Sequence, residues 1–244
     1  MIYKQMSKNF VFSSVGDNSN LDQIMIGDMN YDVYIIYYGN TEETFEKFQK
    51  LATYAKKRKG SKFQNFKYFY DTYPEIIDKY DTFFILDDDC IIDVNSVNKM
   101  FDILRKYNLK ICSPSLLPGS KISHRITVQK NDRILTYTNF VEVSFPMFSR
   151  DALTKFMPLL SYDLIGWGID FLYIWCNGLD DKNSYAIIHD IGCINPREHI
   201  KKCVKRELSL IKNWAMRDKI WQEYAEKIGC PAFYKLVEYQ SIEK

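Results

Sequence analysis

Residues 83–93 read FFILDDDCIID, which places three adjacent carboxylates at the end of an apolar run. A short run of large apolar residues is typical of a buried strand. Ligands of open α/β sheets bind beyond the carboxyl ends of their strands. The stretch therefore predicts a buried strand followed by a polar site at Asp87, Asp88 and Asp89.

Three carboxylates at a buried strand end require a cation. An unpaired buried anion costs several kcal/mol or gives up its charge. Carboxylate oxygens suit Mg²⁺ or Mn²⁺, and both metals keep coordination positions for a phosphate-bearing substrate. We therefore expect a divalent metal at the end of this strand.

The composition is that of an ordinary globular protein. The chain has 244 residues, of which 46% are hydrophobic and 26% charged, so it is long enough for one sizeable core. A net charge of +2 excludes a strong sequence-independent attraction to nucleic acid. Residues 1–8 lack the apolar segment of a signal peptide. No continuous apolar segment of the chain comes near the length of about 18 residues that a membrane-spanning helix needs.

The six cysteines are scattered and form no CxxC pair, so we expect reduced thiols in a cytoplasmic protein.

The basic residues within 201–206 allow two interpretations. They form a solvated helix face, or they meet a diphosphate or an anionic membrane surface that carries a lipid-linked acceptor. The sequence leaves both open, and it leaves the oligomeric state open as well.

Strands and helices alternate along the first half of the chain. Residues 9–17 predict a short first strand that breaks into a Ser/Gly/Asp loop, and further strands are predicted at 31–39, 67–70, 82–86 and 110–114. One helix is predicted to begin at residue 41, and two more are predicted at 74–80 and 96–107. The basic run 56–59 is interpreted as a solvated helix end. This alternation predicts an α/β fold, namely an α/β/α sandwich with a mixed, mostly parallel central sheet.

The second half is less regular and shows no linker or repeat. Residues 126–129 and 134–137 predict a hairpin, 140–145 predict a strand, and the chain turns helical beyond Pro196. We expect a single domain over residues 1–244. It comprises a nucleotide-binding half at about 9–110, an acceptor and catalytic half at about 111–200, and a C-terminal helical segment at about 201–244.

A second motif, GWGIDF at residues 166–171, places two glycines around a tryptophan just before an acid. Glycine lets the backbone approach a ligand, and the Trp167 ring is a good stacking surface for a sugar. Asp170 at the start of a helix would be held ionised by the helix amides and could act as a general base. The alternative is that Asp170 caps the helix and Trp167 belongs to the core.

Three further polar residues lie in apolar surroundings or beside basic residues. His189 sits in the apolar run 186–191 and is interpreted as a core residue, whereas His199, past a proline turn, is the better ligand for a metal or phosphate. Glu142 lies in an otherwise apolar stretch, where it either pairs with a buried cation or lines a cleft.

Four motifs, at residues 87–89, 138–149, 166–170 and 187–192, occur in an order that resembles GT-A-fold nucleotide-sugar glycosyltransferases. More narrowly, they resemble a glycosyltransferase-like group found in plants, bacteria and some large viruses. The resemblance covers about residues 9–199, and it implies a single-domain, GT-A-like (Rossmann-like) fold.

The resemblance implies which residues hold the donor. The loop after the first strand, with Ser13, Gly16 and Asp17, matches the place where this fold holds the nucleoside. Asp87 and Asp88 are assigned to the donor side as well. In the family pattern, Asp87 and Asp89 approach the ribose and the metal that clamps the diphosphate, and either Asp88 or Asp89 is the direct metal ligand.

The resemblance also implies a metal site for Mn²⁺ or Mg²⁺, with Asp87, Asp89 and His199 as protein ligands. One position departs from the pattern. Related proteins carry a histidine after the last strand where this chain has Asn195, so either His199 takes over or the site lacks one protein ligand.

On the acceptor side, the resemblance assigns Asp170 as the base of an inverting reaction. Glu142, Trp167 and Gly168 are expected to contact the acceptor or the sugar.

The resulting hypothesis is a metal-dependent glycosyltransferase that moves a sugar from a nucleoside diphosphate sugar, with a UDP-sugar favoured, to a hydroxyl of a glycan or lipid-linked acceptor. Nucleic acid is not an expected partner, and peripheral membrane contact depends on the basic cluster. Two alternatives stay open: a metal-dependent phosphohydrolase or nucleotidyltransferase, and a catalytically silent carbohydrate- or nucleotide-binding module.

Overall fold

The structure, a computed structural model, describes residues 8–196 and 211–244, and these residues contain nine strands. The strands are β1 (Asn9–Val15), β2 (Asp32–Tyr37), β3 (Tyr54–Lys57), β4 (Thr82–Asp87), β5 (Ile111–Leu116), β6 (Arg133–Thr138), β7 (Met147–Ser149), β8 (Tyr185–Cys193) and β9 (Glu238–Glu243).

The helices of the described residues flank this sheet. They are α1 (Glu42–Leu51), α2 (Lys62–Thr72), α3 (Pro74–Ile77), α4 (Val94–Lys106), α5 (Arg150–Phe156), α6 (Ile169–Gly178) and α7 (Trp214–Ile228). In these ranges, no helix combines the length and apolarity needed to cross a bilayer.

All nine strands belong to one sheet with the order β3-β2-β1-β4-β7-β5-β8-β6-β9. Strands β1 to β4 are mutually parallel, and β8 runs parallel to β5. Strand β7 pairs antiparallel with β4 and β5, and β6 pairs antiparallel with β8 and β9. The predicted α/β class with a mixed, mostly parallel sheet is therefore confirmed, and the carboxyl ends of β1, β2 and β4 share one edge.

Each face of the sheet carries its own core because side chains alternate along a strand. Phe10 and Phe12 of β1 pack on one face with the aromatic residues of α2, and α5, α6 and α7 cover the same face. Val11 and Val15 point to the other face, where α1 and α4 pack. These two cores make β1 and β4 the rigid centre from which the loops of the site extend.

Two predictions in the first half are wrong. Residues 67–70 lie within helix α2, because Ser61 and Gln64 form a capping box and the phenylalanines at 63, 66 and 69 share one buried face. The basic run is also not a helix end, since residues 54–57 form the edge strand β3. The spacing of three residues between aromatic side chains outweighed their individual strand propensity.

Three predictions in the later part of the chain also need correction. The expected hairpin is absent from residues 125–138, because Arg125–Thr127 is a short 3-10 turn and β6 pairs with β8 and β9. Residues 140–145 are buried in part but form no strand. Within residues 211–244, the C-terminal segment forms helix α7 and then strand β9, which completes the sheet beside β6.

Candidate active site

The loop after β1 is fastened to the acidic turn after β4. Asp88 Oδ2 accepts hydrogen bonds from the Gly16 amide at 2.8 Å and from the Tyr38 hydroxyl at 3.3 Å. A Cβ on Gly16 would lie 2.6 Å from the Tyr38 ring, so a larger residue at this position would displace that ring. The structure thus brings Gly16 and Asp88 together at the carboxyl edge of the sheet.

Ser13 and Asp17, the other two residues expected to hold the donor, make internal contacts. Ser13 is fully buried and its hydroxyl donates to the Leu86 carbonyl at 2.9 Å. Asp17 Oδ2 accepts from the amide of Asn40 at 3.0 Å, and Oδ1 accepts from that of Thr41 at 3.1 Å. Partial burial raises the pKa of Asp17, but hydrogen bonds from Tyr37 and these amides lower it overall. Ser13 therefore lies within strand β1 and not in the loop where it was expected, whereas Asp17 shapes the loop.

The cation beside the first aspartate is a lysine of α2. Lys62 Nζ lies 2.8 Å from Asp87 Oδ1 and donates to the carbonyls of Val143 and Ser144, both at 2.7 Å. The Lys62 side chain is only 10% exposed, against 40% for Asp87. Three oxygens satisfy the three donors of an ammonium, so Lys62 ties α2, the end of β4 and residues 143–144 together.

The sequence does not identify Lys62 as a site residue, because no local pattern marks it. It is the first residue of α2, 25 positions before its carboxylate partner in the chain, and the stretch after it was expected to form a strand. The capping residues Ser61 and Gln64 are the signal that could have placed it on a helix.

The acidic turn offers oxygen ligands but no complete metal cage. Within residues 8–196 and 211–244, no three His, Cys, Asp or Glu side chains are placed to hold a metal ion. Mg²⁺ commonly takes one or two carboxylates and completes its shell with water and phosphate. Asp87 and Asp89, both partly exposed at the strand end, fit such a donor set. His199 lies outside the described residues.

A second pair of carboxyl groups faces the same edge from the other half of the chain. Asp170 is the second residue of α6, is 7% exposed, and accepts from the Phe171 amide at 3.1 Å. Glu142 is 4% exposed, and its Oε1 accepts from the Ser144 hydroxyl at 3.4 Å. The backbone amide of Val143, next to Glu142, also hydrogen-bonds the Asp170 carboxylate, which places the two acids side by side.

Burial raises the pKa of both acids. The pKa of Glu142 is raised to about 7 by burial, with smaller contributions from the charges of Asp170 and Asp87. Burial also raises the pKa of Asp170 to about 7, although backbone amides of Phe171 and Val143 lower it in part. Because each acid is poised near neutral pH, either can hold or release a proton there.

The Gly-Trp-Gly motif is packed against α7. A Cβ on Gly168 would lie 2.0 Å from the Trp221 indole, and Gly168 has a φ of +78°, so glycine is required on both grounds. Trp167 Nε1 donates to Asp218 at 2.8 Å, and the Trp167 ring contacts Trp214 edge to face at 5.2 Å. Trp167 is half-buried and Gly168 is buried, so their main contacts are with α7.

His189 is a core residue, as interpreted from the sequence. It is buried, its Nδ1 accepts from the Lys130 amide at 3.2 Å, and its Nε2 lies 3.0 Å from the Thr136 hydroxyl. Burial, with the nearby charges of Lys130 and Arg133, lowers the pKa of His189 to about 4. The ring is therefore neutral near pH 7 and its two nitrogens are occupied.

A family model described as "Protein of unknown function (DUF707)" matches residues 4–226. No curated protein matches the chain.

Solved structures of S. aureus TarS share the fold. TarS 1-349 in complex with UDP aligns with a TM-score of 0.58 and 9% identity, covering 90% of this chain and 65% of that one. The complex with UDP-GlcNAc gives 0.55 and 11%, covering 90% and 66%. A longer TarS chain gives 0.57 and 8%, and this chain spans 39% of its length.

At such identities the likeness to TarS shows the fold alone. It confirms the GT-A-like α/β fold expected from the four motifs.

Proposed function

The chain belongs to the family described as "Protein of unknown function (DUF707)", and we propose that it is a glycosyltransferase that moves a sugar from a nucleoside diphosphate sugar to a hydroxyl group. One observation carries the proposal. Asp87, Glu142 and Asp170 converge at the carboxyl edge of a GT-A-like sheet. That edge is where α/β sheets bind their ligands.

The donor side of the proposal rests on the first half of the chain. The loop that carries Gly16, fixed by Asp88, offers backbone groups for a nucleoside. A UDP-sugar is favoured as donor because TarS, which shares the fold, was crystallised with UDP and with UDP-GlcNAc. Asp87, Asp89 and His199 would hold Mn²⁺ or Mg²⁺. When bound, the metal supplies positive charge beside the diphosphate leaving group.

The acceptor side of the proposal rests on Asp170. A carboxylate with a pKa of about 7 is well matched to accept a proton from an acceptor hydroxyl near neutral pH. The amides of Phe171 and Val143 hydrogen-bond the carboxylate and so restrict its orientation. A base in this role implies attack from the side opposite the leaving group, and hence inversion at the anomeric carbon.

Glu142 is proposed to bind a sugar hydroxyl. Its Oε2 is buried, and within the described residues it has no hydrogen-bond partner. A buried carboxyl oxygen without a partner is rare in native proteins and suits a ligand that brings hydroxyl groups. Trp167 and Gly168 would shape the neighbouring wall, and a glycan or a lipid-linked sugar is the proposed acceptor.

The test compares Asp170→Asn with Asp151→Asn, which alters an exposed acid in the first turn of α5. Purified variants receive Mn²⁺ and a panel of UDP-sugars, and release of UDP and transfer to sugar acceptors are measured. We expect Asp170→Asn to lose roughly 10²- to 10⁴-fold in transfer, with UDP affinity nearly unchanged. Asp151→Asn should behave like the wild type.

The same panel separates the alternatives. Full transfer activity in Asp170→Asn would remove the base assignment. Phosphate release without sugar transfer would favour the phosphohydrolase. If no donor stabilises the wild-type protein and none is consumed, the silent binding module is the better description.

A further inference from the structure

A tyrosine of the C-terminal segment has a buried hydroxyl with no hydrogen-bond partner among the described residues. This residue is Tyr234, whose ring packs edge to face on Phe171 with 4.9 Å between the ring centroids. Burying an unpaired hydroxyl is unfavourable, and native proteins seldom do it without a reason.

The segment that carries Tyr234 is held on both sides. Before it, the Ala232 carbonyl accepts from Trp221 Nε1 at 2.9 Å. After it, Asn139 Nδ2 donates to the Lys235 carbonyl at 2.9 Å. Asn139 Oδ1 also accepts from the amide of the residue at 237 at 2.7 Å. Tyr234 is therefore fixed between two anchors.

Those anchors place Tyr234 beside the proposed acceptor site. Its ring packs edge to face on Phe171, the residue after Asp170. Burial raises the pKa of Tyr234 well above its ordinary value, and the charge of Asp170 raises it further. Glu142 and Tyr234 both act electrostatically on the Tyr173 hydroxyl, which donates to the Val141 carbonyl. Glu142 Oε2 and the Tyr234 hydroxyl, which both lack a partner among the described residues, are thus both within electrostatic reach of Asp170.

The chemistry of this pair fits a sugar. A tyrosine hydroxyl both donates and accepts, and a carboxyl oxygen accepts. Neighbouring hydroxyl groups on a saccharide ring both donate and accept as well. Resting on the proposed function, we infer that the Tyr234 hydroxyl binds a hydroxyl group of the acceptor saccharide beside Asp170. Tyr234 lies outside residues 4–226, the part of the chain that matches the family model.

Direct binding tests the inference without requiring turnover. Methyl glycosides of glucose, galactose and N-acetylglucosamine are titrated into the full chain, with and without UDP and Mg²⁺, and saturation-transfer NMR reports the affinity. For Tyr234→Phe we expect at least one glycoside to bind about tenfold more weakly than to the wild type, the loss of one hydrogen bond. UDP affinity should not change, and stability should not fall.

Tyr31→Phe is the matched control. Tyr31 is buried on the opposite face of the sheet, and its hydroxyl donates to the Ile24 carbonyl at 2.7 Å. This variant should lose stability but bind the glycosides as the wild type does.

Equal glycoside affinity in the wild type and Tyr234→Phe would overturn the inference, and so would a wild type that binds none of the glycosides. If glycosides bind in a Tyr234-dependent manner but UDP does not bind, the inference stands and the donor side of the proposed function fails.

Discussion

Replacing Glu142 by glutamine should stabilise the protein above neutral pH. Burial raises the pKa of this carboxyl from 4.5 to about 7. Between these values the unfolded chain has released a proton that the folded chain keeps, so stability falls as pH rises through this window. One pKa unit corresponds to about 1.4 kcal/mol. The wild type should therefore lose about 3 kcal/mol from this group by pH of about 8.

Glutamine copies the shape of the protonated acid but does not ionise. Glu142→Gln should match the wild type near pH 4.5 and exceed it by about 3 kcal/mol near pH 8. Urea unfolding at a series of pH values measures this difference. With a slope near 3 kcal/mol per molar, the midpoint should move by about 1 M at the higher pH, at unchanged slope.

Glu46→Gln, an exposed substitution on α1, is the control and should not change the pH dependence. If Glu142→Gln shows the same fall in stability with pH as the wild type, Glu142 is hydrated in the native protein. Its raised pKa and its role beside Asp170 would then both be wrong.

Two further predictions concern the framework of the site. Gly168→Ala should lower the free energy of unfolding by at least about 3 kcal/mol. Its Cβ would lie 2.0 Å from the Trp221 ring, and the backbone at this position has a positive φ that disfavours alanine. Gly166→Ala, with a φ of +74° and nothing within 4 Å, should cost only about 1–2 kcal/mol; equal losses in urea unfolding would contradict the close packing. Lys62→Met should lower the free energy of unfolding by about 1–2 kcal/mol, because Asp87 and two carbonyl groups lose their donor. The loss stays moderate because water partly screens Asp87. A Lys62 variant with wild-type stability would show that this ion pair is replaced by solvent at no cost.

Local sequence patterns were sufficient for the acidic strand end and for the start of α6. An apolar run followed by aspartates predicts a buried strand and a polar edge, and β4 ends at Asp87 as expected. Asp170 follows the paired glycines and opens a helix, also as expected. Both predictions depend on side chains within a few positions of one another.

The secondary structure was predicted wrongly where tertiary contacts decide it. The aromatic run 67–70 has strand propensity, but α2 is helical because its aromatic face packs on β1. Residues 140–145 are mostly apolar, but they do not pair in the sheet. They are instead a buried segment beside the site, where Lys62 donates to the carbonyl groups of Val143 and Ser144.

Local sequence patterns were enough to predict an α/β chain with an acidic strand end, a glycine-rich turn before Asp170, and a cation beside the acids. Which groups meet at this site depends on the tertiary structure. Lys62 pairs with Asp87, which is 25 residues later in the chain. Tyr234 lies near Asp170, from which it is separated by 64 residues in the sequence. Such pairings follow from the packing of distant helices and strands on one sheet, and local periodicity carries no information about them.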